Sequence, residues 1–156
     1  MSRLPTILVV LLLFSASTSR AFVIEGGGDD GAGQTLTVEN EAVDLIHVSG
    51  DAGYDNQVFW DIASPKAKYS CTHAEAGWRM PLGSFAEAER LDLLLASAED
   101  GMFISGPGDD NPDGVAHARL SQTGPETVLV EWEDILGGGD ADYNDCVFEL
   151  LIVPLR

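Results

Sequence analysis

Residues 127–132 read Thr-Val-Leu-Val-Glu-Trp and alternate as a strand with one buried face does. Val128, Val130 and Trp132 share one side, because successive side chains of a strand point in opposite directions. A second stretch, residues 146–153, is apolar on both faces except for one glutamate, which is typical of an inner strand. The two stretches predict a sheet in which the C-terminal strand is covered on both sides.

Short segments of the same kind recur along the chain, each rich in β-branched or aromatic residues and bounded by Gly, Pro, Asn or Asp. The remaining ones are Gln34–Asn40, Val43–Ser49, Gln57–Ile62, Lys68–Cys71, Met102–Ser105 and Val115–Leu120. About eight short strands at this spacing predict an all-β fold, a β-sandwich or jelly roll of antiparallel strands. We place it in a single domain over residues 34–156.

The segment 84–98 carries two conflicting signals. Residues 84–87 have the capping-box pattern Ser-Phe-Ala-Glu, and the residues that follow are helix formers, which favours a helix. Leu91, Leu93 and Leu95, however, alternate with the residues between them as a strand would. Propensity alone favours the helix, whereas the family resemblance described below favours a turn followed by a strand.

The N-terminus has the order of a secretory signal peptide. Arg3 is followed by an unbroken apolar run at residues 7–14, and then by mostly small residues up to Ala21. This run is far shorter than the ~20 residues that a membrane-spanning helix needs. We therefore expect residues 1–21 to be cleaved, with Ser19 as a near alternative to Ala21. The mature chain would be secreted, extracellular or periplasmic, and would have no membrane span.

The charge of the chain is strongly negative. Its 156 residues include 8 basic and 26 acidic side chains, a formal net charge of −18. Such a surface repels phosphate backbones and anionic lipid, which argues against nucleic acid as a partner. Eleven of the acids fall in three glycine-rich stretches, at residues 25–30, 106–114 and 133–145. We expect the first of these to belong to a flexible mature N-terminus at residues 22–33.

Two cysteines, Cys71 and Cys146, lie in the mature part of the chain. In an oxidising compartment an even count favours one disulfide between them. Two free buried thiols are the alternative, because a core-facing Cys146 fits the apolar stretch around it.

The stretch 133–145 also has the pattern of a cation site. Asp140, Asp142 and Asn144 are spaced i, i+2, i+4, a spacing that lets one tight loop turn three oxygen ligands toward a common centre. Asp134 and Asp145 are near enough in sequence to add carboxylates. All these ligands offer oxygen, which selects calcium over zinc or copper. The alternative is that these residues are ordinary turn formers, whose side chains bond their own backbone.

The longest motif, residues 132–148, reads Trp-Glu-Asp-Ile-Leu-Gly-Gly-Gly-Asp-Ala-Asp-Tyr-Asn-Asp-Cys-Val-Phe. It closely resembles the hallmark of a bacterial secreted-domain family, the domain of unknown function 4114. Residues 111–117, Asn-Pro-Asp-Gly-Val-Ala-His, look like the second motif of that family, and residues 82–85 are similar to a weaker upstream motif. The resemblance covers roughly residues 50–153.

The resemblance implies a β-sandwich of exported proteins, often with a calcium site and without established enzymatic activity. Members are often parts of large surface proteins or carry a C-terminal sorting tail. The chain departs from this pattern by ending at Arg156, so we do not expect anchoring to a membrane or wall. Cys146 also stands where the family usually has an aliphatic residue.

Two classes of function remain open. The first is a non-enzymatic, calcium-stabilised module that binds an unidentified extracellular or cell-surface ligand. The second is a secreted polysaccharide hydrolase that uses paired carboxylates. His117 is expected to be structural rather than catalytic. Trp60, Trp78 and Trp132 would form a sugar-stacking platform in the second case, although packing in the core is the more frequent use of tryptophan.

Overall fold

A computed structural model describes residues 22–60 and 69–156. Within these ranges the chain forms twelve β-strands in three antiparallel sheets, one short 3-10 helix and no α-helix. The all-β prediction is therefore confirmed. The described part of the chain contains no helix long and apolar enough to cross a membrane. The predicted signal peptide, residues 1–21, lies outside the described residues.

The elements follow one another without long connections. The strands are β1 (Phe22–Gly26), β2 (Gln34–Val38), β3 (Glu41–Ser49), β4 (Gln57–Trp60), β5 (Tyr69–Ser70), β6 (Arg79–Phe85), β7 (Glu89–Arg90), β8 (Leu93–Ser97), β9 (Gly101–Ile104), β10 (Ala118–Gln122), β11 (Thr127–Trp132) and β12 (Cys146–Pro154). The 3-10 helix η1 (Gly108–Asp110) lies between β9 and β10.

The largest sheet has five strands in the order β10-β11-β12-β3-β6. Strand β12 is inside this sheet, as its apolar sequence predicts, and pairs with β11 on one side and β3 on the other. The register places Val130 opposite Phe148 and Trp132 opposite Cys146, and all four side chains are buried. The alternation predicted for residues 127–132 is therefore the one that packs the core.

Two smaller sheets complete the fold. One has four strands in the order β5-β4-β8-β9, and the other has three in the order β1-β2-β7. Their buried faces share one continuous apolar cluster with the five-stranded sheet, in which Leu95 and Phe103 of the four-stranded sheet join Phe148 and Leu150 of β12. This common core is the arrangement of a sandwich, in which inner faces pack against each other.

Two segments resolve differently from what propensity or composition alone suggests. Residues 22–33 are expected to be flexible, but β1 pairs with β2 along its whole length and Phe22 is buried. Apolar side chains at the start of the segment explain the difference, because their burial outweighs the glycines that follow. In the segment 84–98, bends after β6 lead to β7 and β8, so the turn and strand replace the helix.

A disulfide joins Cys71 to Cys146, with 5.7 Å between the two Cα atoms. Cys71 directly follows β5 of the four-stranded sheet, and Cys146 is the first residue of β12 in the five-stranded sheet. The bond therefore ties the two larger sheets together at the point where the acidic loop 133–145 returns to the core.

We predict that removing this cross-link weakens the fold substantially. The two cysteines are 75 residues apart in sequence, and closing a loop of that length stabilises a fold by about 4 kcal/mol in the chain-entropy model. Urea unfolding of the Cys71→Ala, Cys146→Ala double variant should show this loss against the oxidised wild type. Mass spectrometry of the non-reduced exported protein should find the cross-linked peptide, and two free thiols there would contradict the pairing.

Candidate metal site

The acidic loop, residues 133–145, connects two neighbouring strands at their paired ends. It leaves β11 after Trp132 and enters β12 at Cys146, and these two buried residues lie opposite each other in the sheet. The disulfide holds the Cys146 end as well. The loop is therefore anchored at both ends to the most rigid part of the fold, while its tip, residues 135–142, is largely exposed.

The backbone of the loop is tightly curled. Gly139, Ala141 and Tyr143 all have positive φ, at 43°, 58° and 59°. This region is uncommon for residues other than glycine, so its use at Ala141 and Tyr143 marks a strongly constrained chain. The left-handed residues alternate with Asp140, Asp142 and Asn144. This alternation brings side chains that are two residues apart toward one side of the loop.

Three carboxylates converge at the loop. One oxygen each from Glu133, Asp140 and Asp142 can be chosen so that all three atoms lie within 4.8 Å of one another. Glu133 is 1% exposed and forms the inner wall of this cluster, whereas Asp140 and Asp142 are exposed. We call these three residues the outer cluster. It has the oxygen-only chemistry that calcium prefers, with one buried and two exposed ligands.

The structure brings two of the five predicted ligands, Asp140 and Asp142, into the outer cluster. Asn144 lies beside them, where its Nδ2 donates to Asp142 Oδ2 at 2.7 Å and its backbone N–H donates to Asp142 Oδ1 at 3.1 Å. Asp134 and Asp145 lie deeper, where the Asp134 backbone N–H donates to Asp145 Oδ2 at 3.0 Å. The predicted residues are thus adjacent but form two groups.

Sequence reasoning missed Glu133, the innermost residue of the outer cluster. The alternation along β11 places it on the same face as Leu129 and Glu131, away from the core. Strand β11 ends at Trp132, however, and both Glu133 and Asp134 are buried. Two consecutive carboxylates at the end of an alternating strand are the signal that could have pointed to it.

The comparison with known proteins covers this part of the fold. Residues 89–152 match the model of the family described as "Domain of unknown function (DUF4114)". This segment belongs to that family. The match runs from β7 to β12 and includes the whole acidic loop. No curated protein matches the chain.

Burial and mutual repulsion disfavour charge on the deeper carboxylates of this DUF4114 segment. The pKa of Glu133 is raised, mainly by burial and further by Asp140 and Asp142, against a hydrogen bond from the Tyr143 backbone N–H. Burial and the neighbouring Asp134 and Glu133 raise the pKa of Asp145 to about 7. A bound divalent cation would reverse this effect, because it attracts the same charges that now repel one another.

Tyr143 ties the end of the acidic loop to the neighbouring chain. Its hydroxyl donates to the backbone carbonyl of Ala116 at 3.1 Å, and the Arg119 guanidinium lies 4.8 Å from the centre of its ring. Its backbone N–H points to Glu133 Oε2 at 3.4 Å. One buried aromatic residue therefore holds both the loop and the inner carboxylate in place.

The second motif of the DUF4114 segment, residues 111–117, supports the acidic loop from the side. Asn111 bonds Ile104 through both of its amide atoms and also donates to the Val115 carbonyl, which fixes the turn after η1. Asp113 Oδ2 accepts from the Gly137 backbone N–H at 2.7 Å. The motif thus positions the glycine run of the acidic loop.

His117 has the surroundings of a structural residue. It is fully buried and stacks on Phe103 with 3.7 Å between ring centres. Its Nδ1 lies 2.8 Å from the Glu133 carbonyl oxygen, and its Nε2 lies 2.9 Å from Asp113 Oδ2. Both partners are acceptors, so the ring satisfies both when each nitrogen carries a proton.

We predict that Asp113→Asn destabilises the domain by about 2 kcal/mol at neutral pH, because an amide cannot replace both carboxylate oxygens as acceptors. Burial alone would raise the pKa of Asp113, but hydrogen bonds from Gly137, His117 and Val115 lower it to about 2 from 3.8. The stabilisation is therefore present above pH ~4 and is lost as the pH falls toward 2. Thermal unfolding in chelator should show a smaller stability loss between pH 4 and 2 in the variant. Equal acid sensitivity of the two proteins would contradict this role.

Proposed function

We propose that the protein is an exported, non-enzymatic β-sandwich module that calcium stabilises and that binds a ligand outside the cell or on a cell surface. The observation that carries the proposal is the outer cluster, in which carboxylate oxygens of Glu133, Asp140 and Asp142 lie within 4.8 Å of one another. The secreted location is supported by the disulfide, since such bonds persist in oxidising compartments.

The chemistry of the outer cluster favours calcium among common ions. Its three ligands are carboxylates, and calcium takes six to eight oxygens in a flexible shell that protein and water can share. Asp140 and Asp142 are exposed, which leaves room for bound water on the outer side. Magnesium fits less well, because it requires a tighter octahedral shell and releases its own water reluctantly.

A stabilising role for the ion follows from where the cluster lies. The acidic loop joins the central strand β12 to β11, so repulsion among its carboxylates acts directly on a paired strand end. A cation would remove that repulsion and fix the curl of the loop. The hydrolase alternative is less favoured, because paired catalytic carboxyl groups are ~5 to 10 Å apart, farther than the spacing within the outer cluster.

The tip of the acidic loop supplies a contact surface for a ligand. Ile135 and Leu136 are adjacent, and their exposed fractions are 38% and 48%. Exposed apolar side chains that lie together are typical of interaction sites. Calcium would order these two residues together with the loop, so we propose that ligand binding at this tip depends on the ion.

We predict that calcium raises the melting temperature of the mature domain by several degrees over chelator. A ligand of the native state at ~100 times its dissociation constant adds about 2.7 kcal/mol of stability. The Asp140→Asn, Asp142→Asn double variant should lose most of this response, yet should be more stable than wild type in chelator, because the repulsion is relieved. The Asp29→Asn, Asp109→Asn double variant removes the same charge elsewhere on the surface and should keep the response. The same melting temperature in calcium and chelator for the wild type would refute the site.

A second pair of variants tests Glu133 without touching a carboxylate. A Cβ at Gly139 would collide with Glu133 Oε1, whereas at Gly137 it would meet nothing within 4 Å. Both glycines have positive φ, so Gly139→Ala and Gly137→Ala should each lose about 1 kcal/mol from backbone strain. Only Gly139→Ala should also lose the calcium response, because it displaces Glu133. Calorimetric titration of both variants measures this difference, and an undiminished response in Gly139→Ala would remove Glu133 from the ligand set.

A further inference from the structure

Asn56 is a fully buried residue whose side chain ends at the acidic loop. Its backbone is fixed next to the disulfide, because its carbonyl accepts from the Cys71 N–H at 2.9 Å and its N–H donates to Thr72 Oγ1 at 3.3 Å. Its Nδ2 donates to Asp134 Oδ2 at 2.5 Å. Its Oδ1, bonded to the same carbon atom, is buried and has no hydrogen-bond partner. A buried carbonyl oxygen without a donor is costly, and a cation is the other partner that satisfies it.

Two carboxyl groups face this amide. Asp134 is 1% exposed, and its side chain interacts with that of Asp145, which also faces Glu133. We call Asn56, Asp134 and Asp145 the inner group. The inner group adjoins the outer cluster through Glu133, so acidic side chains run continuously from the exposed loop to the buried amide.

The described chain offers these inner carboxylates no positive partner. Among residues 22–60 and 69–156, the ion pairs join Arg79 to Asp44, Arg90 to Asp92 and Asp110, Arg119 to Glu131, and His117 to Asp113. None of them reaches Glu133, Asp134 or Asp145. Buried carboxylates are normally paired or bound to a metal. The deepest carboxylates of the loop are therefore the ones that most require a counter-charge.

We propose that the inner group is a second cation site, in which Asn56 Oδ1 and the carboxylates of Asp134 and Asp145 bind calcium and Glu133 is shared with the outer ion. This inference rests on the proposed function and adds a second ion and an amide ligand to it. The amide orientation that turns Oδ1 toward Asp134 is equivalent in shape to the one that turns Nδ2 there. The inner ion would link the residue before β4 to the start of β12, beside the disulfide.

The stoichiometry of binding is the first test. Native mass spectrometry and calorimetric titration of the disulfide-bonded mature domain with calcium alone should give two ions per chain. The Asp142→Asn variant should weaken the outer ion and leave the inner one. One ion per chain in the wild type would overturn the second site and leave the proposed function intact, whereas no bound ion would overturn both.

Substitution of Asn56 separates a ligand from a simple hydrogen-bond donor. In Asn56→Leu we expect the inner ion to bind at least about tenfold more weakly, while the outer ion is retained. In Asn56→Asp the oxygen remains and a charge is added, so this variant should still bind two ions. The difference in its melting temperature between calcium and chelator should exceed that of the wild type.

The Asn56→Asp variant keeps the test decisive even if Asn56→Leu does not fold. If Asn56 only donates to Asp134, the added carboxylate repels Asp134 equally in calcium and in chelator, and the calcium response does not grow. Asn111→Asp is the matched control, since Asn111 is buried but bonds backbone groups of Ile104 and Val115 instead of carboxylates. It should leave the stoichiometry at two ions.

Discussion

The pairing of β12 with both of its neighbours is the interaction on which the rest of the structure depends. This strand bonds β11 and β3, its first residue forms the disulfide, and its buried side chains join all parts of the core. Every group of the candidate site is positioned from it. The acidic loop begins opposite Cys146 and ends at Cys146, so the strand pair fixes both ends of the loop.

A stable core at the strand ends allows the loop to hold groups that would otherwise separate. Glu133 and Asp134 follow Trp132 directly and are buried with it, although burial and like charges raise the pKa of Glu133 and of the neighbouring Asp145. Positive φ at Ala141 and Tyr143 adds local strain. Strain and buried charge of this kind cluster at binding sites, because a ligand compensates for them.

Much of the fold follows from the sequence because the strands with one buried face alternate clearly. The alternation at residues 127–132 and the apolar stretch at residues 146–153 predict the centre of the largest sheet correctly. The segment 84–98 has helix formers, and there tertiary pairing decides in favour of strands over local propensity. Strand β1 is not predicted, because its short apolar stretch adjoins the expected cleavage point and the glycines that follow suggest flexibility.

The candidate site is predictable only in part, because sequence spacing does not reveal contacts between distant segments. The spacing of Asp140, Asp142 and Asn144 indicates one loop with converging oxygens, and the structure brings the two aspartates together. Glu133 joins them because the strand ends one residue earlier, and Asn56 lies 78 residues from Asp134. The most direct measurement is a crystal structure of the mature domain grown in calcium. The account predicts density for an ion about 2.3 to 2.6 Å from carboxylate oxygens of Glu133, Asp140 and Asp142. Water alone among separated carboxylates at millimolar calcium would contradict it.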